Sequence, residues 1–181
     1  MNIAVFAPKP GCGASTVSRL LALTLAKESP VLLVELDFYY PSTSIVLGAY
    51  HEERNLDHGL DVFNRKGNDA FKLSDFIVQY RKTKLSILCP HGKKGFEYFP
   101  KENPEFVPAI LNQAKQAGFE HVILDTPSLV DTVFCMSALQ EAEKVLFVLN
   151  DEYANALLYH HRTELFKEMN IHSEIVLIAN Q

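Results

Sequence analysis

The loop Lys9-Pro10-Gly11-Cys12-Gly13-Ala14-Ser15-Thr16 stands between a short apolar run at residues 2–7 and a helical pattern at residues 15–27. No other feature restricts the fold as much. A strand that passes through a glycine turn straight into a helix opens a βαβ unit, and such units build parallel sheets with helices on the faces. The rest of the chain keeps this rhythm. Apolar runs at 31–36, 85–89, 121–124, 144–149 and 174–179 read as further strands. Helices are predicted at 104–118, with proline near its first turn and Gly118 as a left-handed stop, and at 154–169. Residues 50–84 mix charged and aromatic side chains, and one or two helices are expected there, at 56–63 and 73–80. The expectation is a doubly wound α/β domain across residues 1–181, with a mostly parallel sheet and helices on both faces. Because the chain stops within two residues of a strand, without the closing helix such sheets usually have, truncation of a longer protein is expected.

Composition narrows the functional classes. In 181 residues, 48% are hydrophobic, enough for a substantial buried core. No apolar run approaches the roughly 20 residues of a membrane span, and no basic segment precedes an apolar one at the start, so a cytoplasmic protein is expected. Cys12, Cys89 and Cys135 form neither an even disulfide framework nor a CxxC pair. The formal charge of −5 offers no general electrostatic footprint for nucleic acid, so nucleic-acid binding is not expected.

The position of the loop carries its chemistry. Gly11 and Gly13 let backbone amides turn toward phosphate oxygens, the helix that follows presents its positive N-terminus, and Ser15 or Thr16 places a hydroxyl in the first turn where Mg²⁺ binds. The alternative is a tight strand-to-helix turn that needs glycine for steric reasons alone. Asp37 and Asp125 each follow an apolar strand, at the carboxyl edge where open α/β sheets bind ligands. A carboxylate there holds a metal's water shell or orients an attacking water; the competing reading is a cap on the next loop.

These residues resemble the deviant Walker A ATPases of the MinD/ParA group, whose loop reads K-G-G-x-G-K-[ST]-[ST]. The resemblance covers nearly the whole chain and implies a P-loop NTPase-like fold that binds ATP and Mg²⁺. It makes Lys9 the signature lysine, which reaches the partner's nucleotide across a homodimer, and gives Lys9 and Asp37 the catalytic roles. Gly11, Cys12, Gly13, Ala14, Ser15 and Thr16 form the nucleotide loop, Ser15 and Asp125 hold the metal, and Asn180 matches the base-contacting asparagine. Gln181 stands where arginine is common. Two departures bear on activity: Ala14 replaces the Walker lysine, and Pro10 removes one loop amide. Binding without efficient turnover is therefore expected. Atypical loops of this kind are similar to those of the CpaE/TadZ pilus-assembly branch, which implies a role in positioning a pilus or secretion machine, with that machine's proteins as partners and membrane association through them. A partition ATPase and a nucleotide-free scaffold are the alternatives.

Other features carry less. His160-His161-Arg162 falls on a predicted helix as solvated polar residues rather than a metal site. Pro90-His91-Gly92-Lys93-Lys94-Gly95 reads as a solvated basic loop, with contact to phosphate or a partner as the alternative. Phe38-Tyr39-Tyr40 and Phe96-Glu97-Tyr98-Phe99-Pro100 place aromatics in loops, for partner contact or for packing.

Overall fold

The computed structural model describes residues 1–91, 101–150 and 153–180, the side chains of 153–156 excepted. Seven strands form one sheet in it: β1 (Asn2–Phe6), β2 (Val31–Glu35), β3 (Val78–Gln79), β4 (Leu85–Leu88), β5 (His121–Asp125), β6 (Lys144–Leu149) and β7 (Glu174–Ala179), in spatial order β3-β4-β2-β5-β1-β6-β7. All pairs are parallel except β3 with β4. The helices are α1 (Ala14–Leu25), α2 (Thr43–Val46), α3 (Leu56–Lys66), α4 (Phe106–Gln116), α5 (Val133–Glu141) and α6 (Tyr153–Glu168).

The inner strands read as continuous apolar runs because both faces are covered. Ala4 and Phe6 of β1 point into a core shared with α3, α4 and α5, where Phe6 meets Phe147 and Phe166 edge-on at 5.3 and 5.6 Å. Ile3 and Val5 point to the opposite face, which Val17, Leu21 and Ala22 of α1 cover. Alternation along one strand thus feeds two cores, and each fully buried Phe or Leu contributes roughly 1.5–3 kcal/mol of transfer energy.

The expected doubly wound α/β sheet is what the chain forms, with four local differences. Residues 73–80 are not a helix: Leu73–Asp75 makes one 3-10 turn and Val78–Gln79 pairs antiparallel with β4. Tertiary pairing wins there over helical spacing, because Phe76 must reach the stacked ring of Phe71 while Val78 and Gln79 pair with the edge of β4. Helix α3 runs past residue 63 to Lys66. Residues 43–46 form the short helix α2, and α5 has no forerunner in the sequence reading, its apolar run 133–139 lacking a clear helical stripe. Gly118, at φ +83°, ends α4 as its position suggests.

The strand order reverses at β1: the chain crosses from it to β2 on one side and reaches β6 on the other. A crevice opens at such a point beyond the carboxyl ends of the strands. The glycine loop follows β1 directly into it.

Candidate nucleotide site

Gly11 and Gly13 lie at φ +87° and +94°, conformations that side-chain-bearing residues rarely adopt, so these glycines are required by backbone shape. Gly13 is the N-cap of α1 and supplies no side chain to the helix's first amides. Those unpaired N–H groups and the helix dipole make a ready anion site. A Cβ at Gly11 would meet nothing within 4 Å, so the loop is open on that side. The surrounding cleft has a volume of about 310 Å³; Lys9, Ser15, Thr16, Asp37, Tyr40, Thr126 and Ser128 line it with the loop.

Beneath the loop, Asp125 and Glu35 are register partners on adjacent strands, and both are fully buried. Burial and then the neighbouring Glu35 carboxylate push Asp125 up to about 7, against hydrogen bonds from Ser15 and Ser18. The Ser18 hydroxyl stands 3.0 Å from Asp125 Oδ1 and 3.0 Å from the Ala14 carbonyl. One hydroxyl proton serves only one acceptor well, and a protonated Asp125 resolves this by donating to Ser18 while Ser18 donates to Ala14. Asp125 Oδ2 is buried without a hydrogen-bond partner. Glu35 is raised by burial, and its carboxylate accepts the Ser42 N–H at 2.8 Å and the Thr43 N–H at 3.0 Å. Asp37 is also raised by burial; its Oδ1 accepts from Tyr39 and Tyr40 N–H at 3.0 and 2.9 Å, so it caps its own loop while it lines the cleft.

The fold therefore gathers Lys9, Gly11, Cys12, Gly13, Ala14, Ser15, Thr16 and Asp37 around one cleft, with Asp125 below Ser15. Cys12 is fully buried and packs in the core on the α1 face of the sheet. Asn180 leaves β7 and its Nδ2 donates to the Cys12 carbonyl at 3.0 Å; a Cβ on Gly13 would stand 2.3 Å from that nitrogen. The orphaned Asp125 oxygen beside the Ser15 hydroxyl fits the water shell of a hard cation, and open loop amides fit phosphate. Among the described residues no group of three His, Cys, Asp or Glu could hold a metal ion. Position 14 offers a methyl where an ammonium would bridge phosphates.

Sequence reasoning missed Ser18, Arg19 and Glu35 as parts of the site. Glu35 carried a signal, a lone carboxylate inside an otherwise apolar buried strand; Ser18 and Arg19, three and four residues after Ser15 on the same helix face, had one only in retrospect. The His160-His161 pair is exposed, as its position suggests, with His160 3.5 Å from Glu164. All three cysteines are buried and unbridged. Phe38 packs on Phe134 at 5.3 Å, whereas Tyr40 is exposed at the cleft. The aromatic run 96–100 and most of the basic loop after His91 lie outside the described residues.

A strand, a glycine loop with uncapped helix amides and a carboxylate at an adjacent strand's end make up a P-loop NTPase-like fold. The chain is 28% identical over 155 residues to the septum site-determining protein MinD of Helicobacter pylori (strain ATCC 700392 / 26695), covering 84% of this chain and 54% of that one. It thus spans about half the length of that relative. Its fold is similar to a ParA family ATPase from Chlorobium tepidum TLS, with a TM-score of 0.79 at 17% identity over 99% of this chain and 73% of the other. It is also similar to the septum site-determining MinD from Pyrococcus horikoshii OT3 solved with Mg-ADP, with a TM-score of 0.77 at 23% identity over 99% and 70%. No protein-family model matches the chain. In sequence it resembles a MinD protein, and in fold the ParA and MinD ATPases.

Proposed function

We propose that the chain binds ATP and Mg²⁺ with weak or absent hydrolysis, as a nucleotide-dependent homodimer in the cytoplasm that positions or assembles a machine such as a pilus or secretion apparatus. The observation that carries the reading is the pairing of uncapped α1 amides and an orphaned Asp125 oxygen with a methyl at position 14. The loop amides and Lys9 hold the phosphates, while Ser15 and Asp125 hold the cation's shell. A bound Mg²⁺ would neutralise phosphate charge. Asp37 orients water, but no ammonium from position 14 meets the charge that develops on a transferred phosphoryl, so turnover is slow. Asn180 stands at the loop for a base. Protein partners of the machine, and through them the membrane, receive the nucleotide-bound form, as in the CpaE/TadZ-like branch that the atypical loop resembles.

Calorimetric titration with ATP, with and without Mg²⁺, tests this. The wild type should bind more tightly with Mg²⁺, and Ser15→Ala should lose that increment while folding normally. Equal affinity with and without Mg²⁺ would refute the metal role of Ser15; no binding of ATP or ADP at millimolar concentration would leave a nucleotide-free scaffold. A partition ATPase is the second reading, favoured by the likeness to a ParA fold; salt-dependent DNA binding by the nucleotide-bound form would select it.

A further inference from the structure

Glu35 is fully buried at the carboxyl end of β2, yet it does not line the cleft. It reaches instead to the far end of the segment that leaves β2, accepting the backbone N–H of Ser42 at 2.8 Å and of Thr43 at 3.0 and 3.2 Å. The Ser42 hydroxyl faces the same oxygen at 3.4 Å. From the other side, Arg19 Nη1 on the second turn of α1 donates to Ser42 Oγ at 2.7 Å. A buried carboxylate survives only where its oxygens are hydrogen-bonded, and hydrogen bonds to a charged group are the stronger kind. Residues 37–43 are therefore closed into a short loop, pinned at β2 by Glu35 and to α1 by Arg19. Asp37 and Tyr40, two of the residues lining the cleft, lie inside that loop.

We infer that Glu35 and Arg19 form a clamp whose role is to position Asp37 and Tyr40 against the glycine loop. This rests on the reading of the cleft as a nucleotide site. Neither residue lines the cleft; both act through Ser42. The clamp also explains why β2 carries a carboxylate that long: its reach spans to residues seven and eight positions further on, which a shorter side chain would leave short. The segment is thereby preorganised, so little ordering is left to be done when ligand arrives.

The test has two arms on the intact protein. In the first, hydrogen exchange is followed without nucleotide in wild type, Arg19→Ala, Arg19→Lys and Glu35→Gln. Protection of the Ser42 and Thr43 amides should fall about tenfold or more in Arg19→Ala and Glu35→Gln, as expected for loss of a charge-assisted bond. Exchange in β2 and α1 should stay as in wild type, and Arg19→Lys should restore part of the protection. In the second, the same proteins are titrated with the non-hydrolysable analogue AMPPNP and Mg²⁺, and affinity should drop about tenfold in Arg19→Ala and recover partly in Arg19→Lys. Unchanged exchange at Ser42 and Thr43 in Arg19→Ala would overturn the clamp. Lost protection with unchanged affinity would overturn its positioning role. Failure of the wild type to bind AMPPNP is a different result, and sinks the nucleotide reading itself.

Discussion

Asp125 concentrates the chemistry of the site in one side chain. Its pKa is raised from the ordinary 3.8 to about 7 by burial first and by Glu35 second. The native state therefore holds this proton more tightly than the unfolded chain does. Stability from this group is fully present below the unfolded value near 3.8 and is lost as pH rises through about 7, on the order of 1 kcal/mol per pH unit inside that window. Urea unfolding without Mg²⁺ should accordingly show stability falling from pH 5 to pH 7, with a flatter slope in Asp125→Asn; an equal slope in both proteins contradicts the assignment. At Ala14 the test is addition. If the missing ammonium limits turnover, Ala14→Lys should tighten nucleotide and raise phosphate release. If Lys9 takes over its role within a dimer, Ala14→Lys should change little, whereas Lys9→Ala should abolish ATP-dependent light scattering and any hydrolysis. Vigorous phosphate release by the wild type would show that position 14 does not limit the reaction. Pro10 tempers the gain, since a lost loop amide is not restored by the new lysine.

At the scale of elements, caps and turns decide where helices start and what they leave exposed. Helix α3 begins at Asn55, whose Oδ1 accepts the His58 N–H at 2.9 Å while its Nδ2 donates to the His51 and Glu52 carbonyls. Asn55 is buried, so Asn55→Ala should cost about 1–2 kcal/mol in chemical denaturation; a loss near zero would mean that water replaces all three bonds. Helix α1 is the opposite case. Its N-cap glycine leaves the first amides uncapped, a cost in helix stability accepted at a helix start that opens onto the cleft. The apolar runs and Gly118 made most strands and α4 legible from sequence. The short strand β3 was not, because two residues at a sheet edge leave no periodic signal and the pairing partner β4 selects them.

For the whole molecule, two cores on either side of one sheet hold the crevice in place, and a ligand that binds only the folded state adds to that stability. Saturation with ATP and Mg²⁺ at about 100 times the dissociation constant should stabilise the protein by roughly 2.7 kcal/mol, read as a rise in the thermal midpoint; no shift with ATP or ADP would remove the site. Phe6→Ala, by removing a fully buried ring at the centre of the larger core, should cost about 3–5 kcal/mol and lower the midpoint with or without nucleotide. By itself the sequence determined the alternation of strands and helices, the glycine loop after the first strand, and the carboxylates at strand ends, since those follow from local propensity and from spacing along the chain. Only the tertiary structure decided that Glu35 would lie beside Asp125 and that Arg19 would reach Ser42. It also decided that Asn180 would close on the Cys12 carbonyl, 168 residues away. Such contacts join strands and loops distant in sequence, and the register of parallel strands, which no local pattern encodes, sets them.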